Sequence, residues 1–128
     1  MRQIRVVMIG LGRMGGRFFD KLTEVGEDRV KILAVCELND NNPYLAKAGE
    51  QGVARFTDFA EAIEAFGEEI DIILDTSNVP ATKQAIRKLL QAQNNQHTVL
   101  VPLVVDYMMW YLIAGDEAIP QDHVEIGY

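Results

Sequence analysis

Ile4-Arg5-Val6-Val7-Met8-Ile9 runs without a break into Gly10-Leu11-Gly12-Arg13-Met14-Gly15-Gly16, and the reading of this stretch decides the fold. The apolar run predicts a strand and the glycines a tight turn. Met14, Phe18, Leu22 and Val25, at helical spacing with charged residues between them, predict a helix from Gly12 to a stop at Gly26. A G-x-G-x-x-G spacing has weight only in such a strand-turn-helix frame. There each glycine has its own steric task. Gly10 permits the turn, Gly12 lets backbone approach a pyrophosphate with no Cβ in the way, and Gly15 lets the helix lie close to the strand. The helix opening at Arg13 and Met14 points unpaired N–H groups and a partial positive charge at a bound anion, and Arg13 adds a full charge.

The next apolar run, Val30 to Cys36, ends at Glu37, where a carboxylate can accept both ribose hydroxyls of an adenosine. That carboxylate would repel a 2′-phosphate, and Leu38-Asn39-Asp40 supplies no base to receive one. The expected ligand is therefore NAD in preference to NADP.

Further along, Pro43–Gln51 reads as a short helix and Val53 to Phe56 as a brief strand. Asp58 with Glu61 marks the cap of a helix to about Phe66. Ile70 to Thr76 is a fourth strand, Pro80 opens a helix, and Thr98 to Val101 is a fifth strand. Strands alternating with helices imply an α/β fold: a doubly wound parallel sheet, Rossmann-type, in three α/β/α layers, forming a single domain over residues 1–128. Thr76-Ser77-Asn78 follows the fourth strand at the carboxyl edge, where ligands bind in open α/β sheets. These residues either line the path toward a nicotinamide or cap the helix at Pro80.

Beyond Val101 a helix is expected from about Asp106, with Asp106 as its N-cap and Tyr107 the other polar group near the carboxyl edge. The surrounding residues are apolar on nearly every side, so Leu103–Ile113 predicts an association surface, for a homodimer or a separate catalytic partner. His123 to Tyr128 alternates as a last strand would.

At 128 residues there is room for one domain with a real core, but not for an ordinary substrate domain as well. A net charge of −7 argues against nucleic acid as a partner. The single cysteine, Cys36, excludes an internal disulfide and a thiolate metal site, and fits a reducing cytoplasm. Its place in a strand suits a buried small hydrophobe. The apolar Val99–Gly115 stretch is too short, and too interrupted by Pro102 and Asp106, to cross a membrane. No secretory leader is evident. His97 lies at the amino edge, away from the cleft, and His123 beside Asp122 and Glu125 reads as a solvated turn. Neither suggests a metal site.

Taken together, the glycine stretch, Leu33-Ala34-Val35-Cys36-Glu37, Asp71-Ile72-Ile73-Leu74-Asp75-Thr76-Ser77-Asn78 and His97-Thr98-Val99-Leu100-Val101 resemble the N-terminal half of the glucose-fructose oxidoreductase and inositol dehydrogenase family (Gfo/Idh/MocA). The likeness covers Ile4–Val101 and extends more loosely to dehydrogenases of aspartate-semialdehyde and homoserine type. It implies a nicotinamide dinucleotide cofactor and oxidoreductase ancestry. The family carries Glu-Lys-Pro after the fifth strand, its lysine acting near the reacting hydroxyl. Here Pro102-Leu103-Val104 stands there, and Leu103 can neither donate nor accept a proton. The expectation is an NAD-binding, oxidoreductase-like domain without a complete active site of its own, or a non-catalytic regulatory or partner module.

Overall fold

The computed structural model describes residues 2–120. Its strands are β1 (Ile4–Ile9), β2 (Val30–Cys36), β3 (Ala54–Phe56), β4 (Ile72–Asp75) and β5 (Val99–Leu100), and its helices are α1 (Arg13–Val25), α2 (Tyr44–Glu50), α3 (Phe59–Phe66), α4 (Pro80–Ala92) and α5 (Leu103–Ala114). A short 3-10 turn, Gly67–Glu69, links α3 to β4. The sheet order is β3-β2-β1-β4-β5 and every pair is parallel. Strand order therefore reverses between β1 and β4, and the carboxyl ends of these two strands form the switch point at which such sheets bind ligands.

Two cores hold the layers together. On one face Val6, Met8 and Leu74 meet Met14, Phe18 and Phe19 of α1, Ala48 of α2 and Trp110 of α5. On the other, Val7, Ile9 and Ile73 meet Ala62 and Ile63 of α3 and Ile86 and Leu90 of α4. Strand side chains alternate between these faces because the side-chain period is two. In β2 the register slips by one residue: Val6 pairs with Ile32 but Val7 with Ala34. Leu33 is the extra residue, and the bulge lets Ile32 and Val35 both reach the α1 face. Burying Phe18 and Phe19, each almost fully enclosed, contributes roughly 2–3 kcal/mol apiece.

The Asp58 cap forms as the sequence indicates, its carboxylate accepting from the Ala60 N–H at 2.9 Å. Two other expectations at helix starts are corrected. No side chain caps α4. Its N-cap is Val79, reached through a turn in which Asn78 takes the left-handed conformation, φ 60°. Helix α5 begins at Leu103, not near Asp106, with Pro102 as N-cap at φ −70° and ψ 155°. A proline needs no N–H partner there, so the helix starts as soon as β5 ends. Asp106 consequently lies in the first turn and is buried, and the cap role read for it is wrong.

Only Asp106 and Trp110 of α5 are fully buried, while Val104, Met108, Tyr111 and Leu112 are exposed. These four make an apolar row that faces outward, while Val105, Met109 and Ile113 pack against the core. His123 and the strand read for residues 123–128 lie outside the described residues. No helix among the described residues is long and apolar enough to cross a membrane.

Candidate functional site

Three short hydrogen bonds, two between backbone groups and one from a side chain, build the glycine loop onto the switch point. Gly10, at φ 93°, donates its N–H to the Cys36 carbonyl at 2.9 Å. The Thr76 N–H bonds the Ile9 carbonyl at 3.0 Å, and the Thr76 hydroxyl donates to the Gly10 carbonyl at 3.1 Å. Gly15 lies against this knot. A Cβ there would run into the Gly10 carbonyl and stand 2.7 Å from the Thr76 Oγ1. Gly12 is the opposite case, since a Cβ built on it meets nothing within 4 Å. One glycine is demanded by protein packing, and the other opens onto empty space.

That space is a cleft of about 390 Å³, lined among others by Gly12, Arg13, Arg17, Tyr44, Trp110 and Glu117. Gly12 is the N-cap of α1 and offers no side chain to the helix's first N–H groups, and no acid in the first turn offsets their charge. The helix start is left able to receive an anion. A larger hollow, about 590 Å³, lies by Leu22, Val30 and Gly52 toward the amino end of β2, remote from the loop.

Glu37 is nearly closed off from solvent, 3 % exposed. One carboxylate oxygen accepts from the Leu11 N–H at 2.8 Å and the Asn42 side-chain amide at 3.3 Å, and the other from the Asn39 N–H at 2.9 Å. Asn42 also donates to the Leu11 carbonyl at 2.8 Å. Glu37 therefore clasps the glycine loop to the end of β2, and four acceptor sites per carboxylate leave capacity beyond these bonds.

Beside it stands a residue the sequence reading missed. Arg55 of β3 donates twice to the Glu37 carbonyl, at 3.2 and 2.8 Å, and to the Asp40 carboxylate at 2.8 Å. Leu38-Asn39-Asp40 contains no base, but the fold brings one to it. The signal available was register: Arg55 pairs with Val35, next to the strand end.

Thr76 and Ser77 are buried, and their polar groups serve the turn. The Ser77 N–H bonds the Asp75 carboxylate at 2.9 Å, and the Ser77 hydroxyl accepts from the Val79 N–H at 3.4 Å. Asn78 is partly exposed, although its Oδ1 is buried without a partner.

Behind this turn is a buried charge cluster. Lys83, from the first turn of α4, donates to the Asp75 carboxylate at 2.9 Å and to the Asp75 carbonyl at 3.1 Å. Asp106 is fully enclosed, and neither of its carboxylate oxygens has a hydrogen-bond partner. Its pKa is raised to about 7, chiefly by burial; Lys83 pulls it down and Asp75 pushes it up. An acid within an otherwise apolar helix was the available clue.

Cys36 is buried, its thiol pushed up to about 12 by burial with a contribution from Asp58, so it is inert as a nucleophile. His97 lies at the amino edge with its Nε2 2.7 Å from Asp71. Asp71 is held below the usual carboxylate range, chiefly by the Arg5 N–H bond. No cluster suited to a metal ion occurs among the described residues.

The fold and loop define a Rossmann-type α/β architecture. No family model and no curated protein matches the chain. Solved structures do. The WlbA dehydrogenase of Chromobacterium violaceum, in complex with NADH and UDP-GlcNAcA, superposes with TM-score 0.55 at 16 % identity, over 79 % of this chain and 35 % of that one. The myo-inositol 2-dehydrogenase of Lactobacillus plantarum gives 0.51 at 22 %, over 90 % and 42 %. The transcriptional regulator Gal80p of Kluyveromyces lactis gives 0.54 at 17 %, over 91 % and 32 %. These likenesses are of fold, and the chain spans less than half the length of each of these neighbours.

Proposed function

We propose that this chain binds a nicotinamide dinucleotide, NAD in preference to NADP, as the cofactor-holding part of an oxidoreductase of the Gfo/Idh/MocA type. The observation that carries this reading is the contrast within the loop: Gly15 has no room for a Cβ, whereas Gly12 opens onto the cleft at an uncapped helix start. The open face fits a pyrophosphate held by N–H groups at Arg13 and Met14, with the Arg13 side chain beside them. Gly10 and Gly15 shape the loop, and Glu37, fixed by Leu11 and Asn39, faces the adenosine ribose. Asn78, partly exposed, forms the wall toward the nicotinamide, with Thr76 and Ser77 building the turn behind it. Bound NAD would supply hydride exchange.

Leu103 stands where the resembled family has its lysine, so the proton-handling group comes from elsewhere. We place it on another segment or a partner, in the cytoplasm. The exposed apolar row of α5 favours association, most simply as a homodimer. It equally supports a second reading, a non-catalytic dinucleotide-responsive module; Gal80p, a transcriptional regulator, has the same fold.

Calorimetric titration with NADH and NADPH, followed by turnover assays on polyols and sugars, tests both readings. NADH binding tighter than NADPH is expected. Equal affinities would remove the ribose role of Glu37 and point to Arg55 as a phosphate acceptor. Binding without turnover favours the second reading, and no binding of either nucleotide refutes both.

A further inference from the structure

We propose that Arg17 is a second phosphate-binding arginine of the cleft, and that Glu117 occupies it until the pyrophosphate of a bound dinucleotide takes the carboxylate's place. The proposal rests on the dinucleotide reading above and adds to it an internal competitor.

Arg13 and Arg17 are one turn apart on α1 and share a helix face. Helical side chains lean toward the N-terminus, which brings Arg17 back to line the same cleft as Gly12. There its Nη1 meets both carboxylate oxygens of Glu117, at 3.1 and 2.9 Å. The guanidinium carbon lies 5.2 Å from the centre of the Trp110 ring, which supports the flat group from one side. An arginine fork receives a carboxylate and a phosphate with the same geometry, and the pyrophosphate carries more charge.

The pair is built to exchange. Its side chains are 40 % and 52 % exposed, so water screens the attraction and holding them together contributes little. The Glu117 backbone is fixed independently of its carboxylate: its carbonyl accepts from the Trp110 Nε1 at 2.9 Å, and its N–H donates to the Ala114 carbonyl at 3.2 Å. The side chain can swing away while the segment after α5 keeps its place. Until it does, a negative charge lines the cleft into which Gly12 opens.

NADH titrations of the wild type, Glu117→Gln and Arg17→Met test this. Removing the competing charge is expected to tighten NADH about fivefold, and removing the arginine to weaken it about tenfold. The Glu117→Gln gain should shrink in high salt. A purely structural ion pair would make both substitutions weaken binding, so opposite signs are the diagnostic result. Unchanged or weaker binding by Glu117→Gln, with Glu117→Ala as a repeat, overturns the proposal while leaving the dinucleotide reading intact. So does unchanged binding by a folded Arg17→Met. Failure of NADH to bind the wild type and both Glu117 variants overturns the two together.

Discussion

Replacing Asp106 by Asn should change how the stability of this protein depends on pH. Asp106 is fully buried, and both its carboxylate oxygens lack partners. Its pKa rises from 3.8 to about 7 because burial disfavours the charged form. An acid whose folded pKa lies above its unfolded one keeps its proton longer in the folded state. Stability is then fully present below the unfolded value and lost as pH rises through the folded one. The rise from 3.8 to about 7 corresponds to about 4 kcal/mol, and the part above pH 5 to about 3 kcal/mol.

Asn cannot ionise, so the variant escapes this loss, while titrating groups outside the cluster of Asp75, Lys83 and Asp106 contribute alike to both proteins. Urea unfolding, followed by the emission of Trp110, the only tryptophan in the chain, measures the difference. Relative to the wild type, Asp106→Asn should gain about 3 kcal/mol between pH 5 and pH 8, whatever its offset at pH 5. A difference that stays constant with pH would refute the burial argument for Asp106.

Lys83→Met should be among the most destabilising single changes, about 3–5 kcal/mol in the same assay, because Asp75 would be left buried and unpaired; a loss below 1 kcal/mol would remove Lys83 from that role. Gly15→Ala should cost about 1–3 kcal/mol in urea unfolding, since its Cβ meets the Gly10 carbonyl and Thr76 with no flexible side-chain tip to yield. Leu112→Lys, on the outer row of α5 at 76 % exposure, should lower the mass seen by light scattering toward that of one chain without loss of stability. A wild type that already scatters as a monomer would refute association through α5.

Much of this was legible in the sequence because the determinants are local. The glycine spacing, the apolar runs and the Asp58 cap each act within a few residues, and the strand-helix alternation follows from them. What escaped depends on contacts distant in the chain. Arg55 reaches Glu37 and Asp40 only because β3 pairs with β2. Lys83 reads as an ordinary helix-surface residue until α4 is seen to start beside Asp75. Asp106 reads as a cap in the sequence because short polar residues before apolar runs usually are caps. Pro102 filled that position, and the acid was drawn inside. Thr76, Ser77 and Asn78 illustrate a different limit. Their residue types suit a turn, a cap or a ligand wall, and the structure reveals the turn, in which the Thr76 hydroxyl also ties β4 to the glycine loop.

The central claim is that the open side of Gly12 is where a dinucleotide binds, and calorimetric titration of NADH into the wild type and Gly12→Ala tests it most directly. The added methyl meets no protein atom and the backbone there, φ −70°, is open to alanine, so the fold should be undisturbed. The account predicts that the wild type binds NADH and that Gly12→Ala, equally stable to urea, loses at least about tenfold in affinity. Unchanged NADH affinity in a stable Gly12→Ala protein would contradict it.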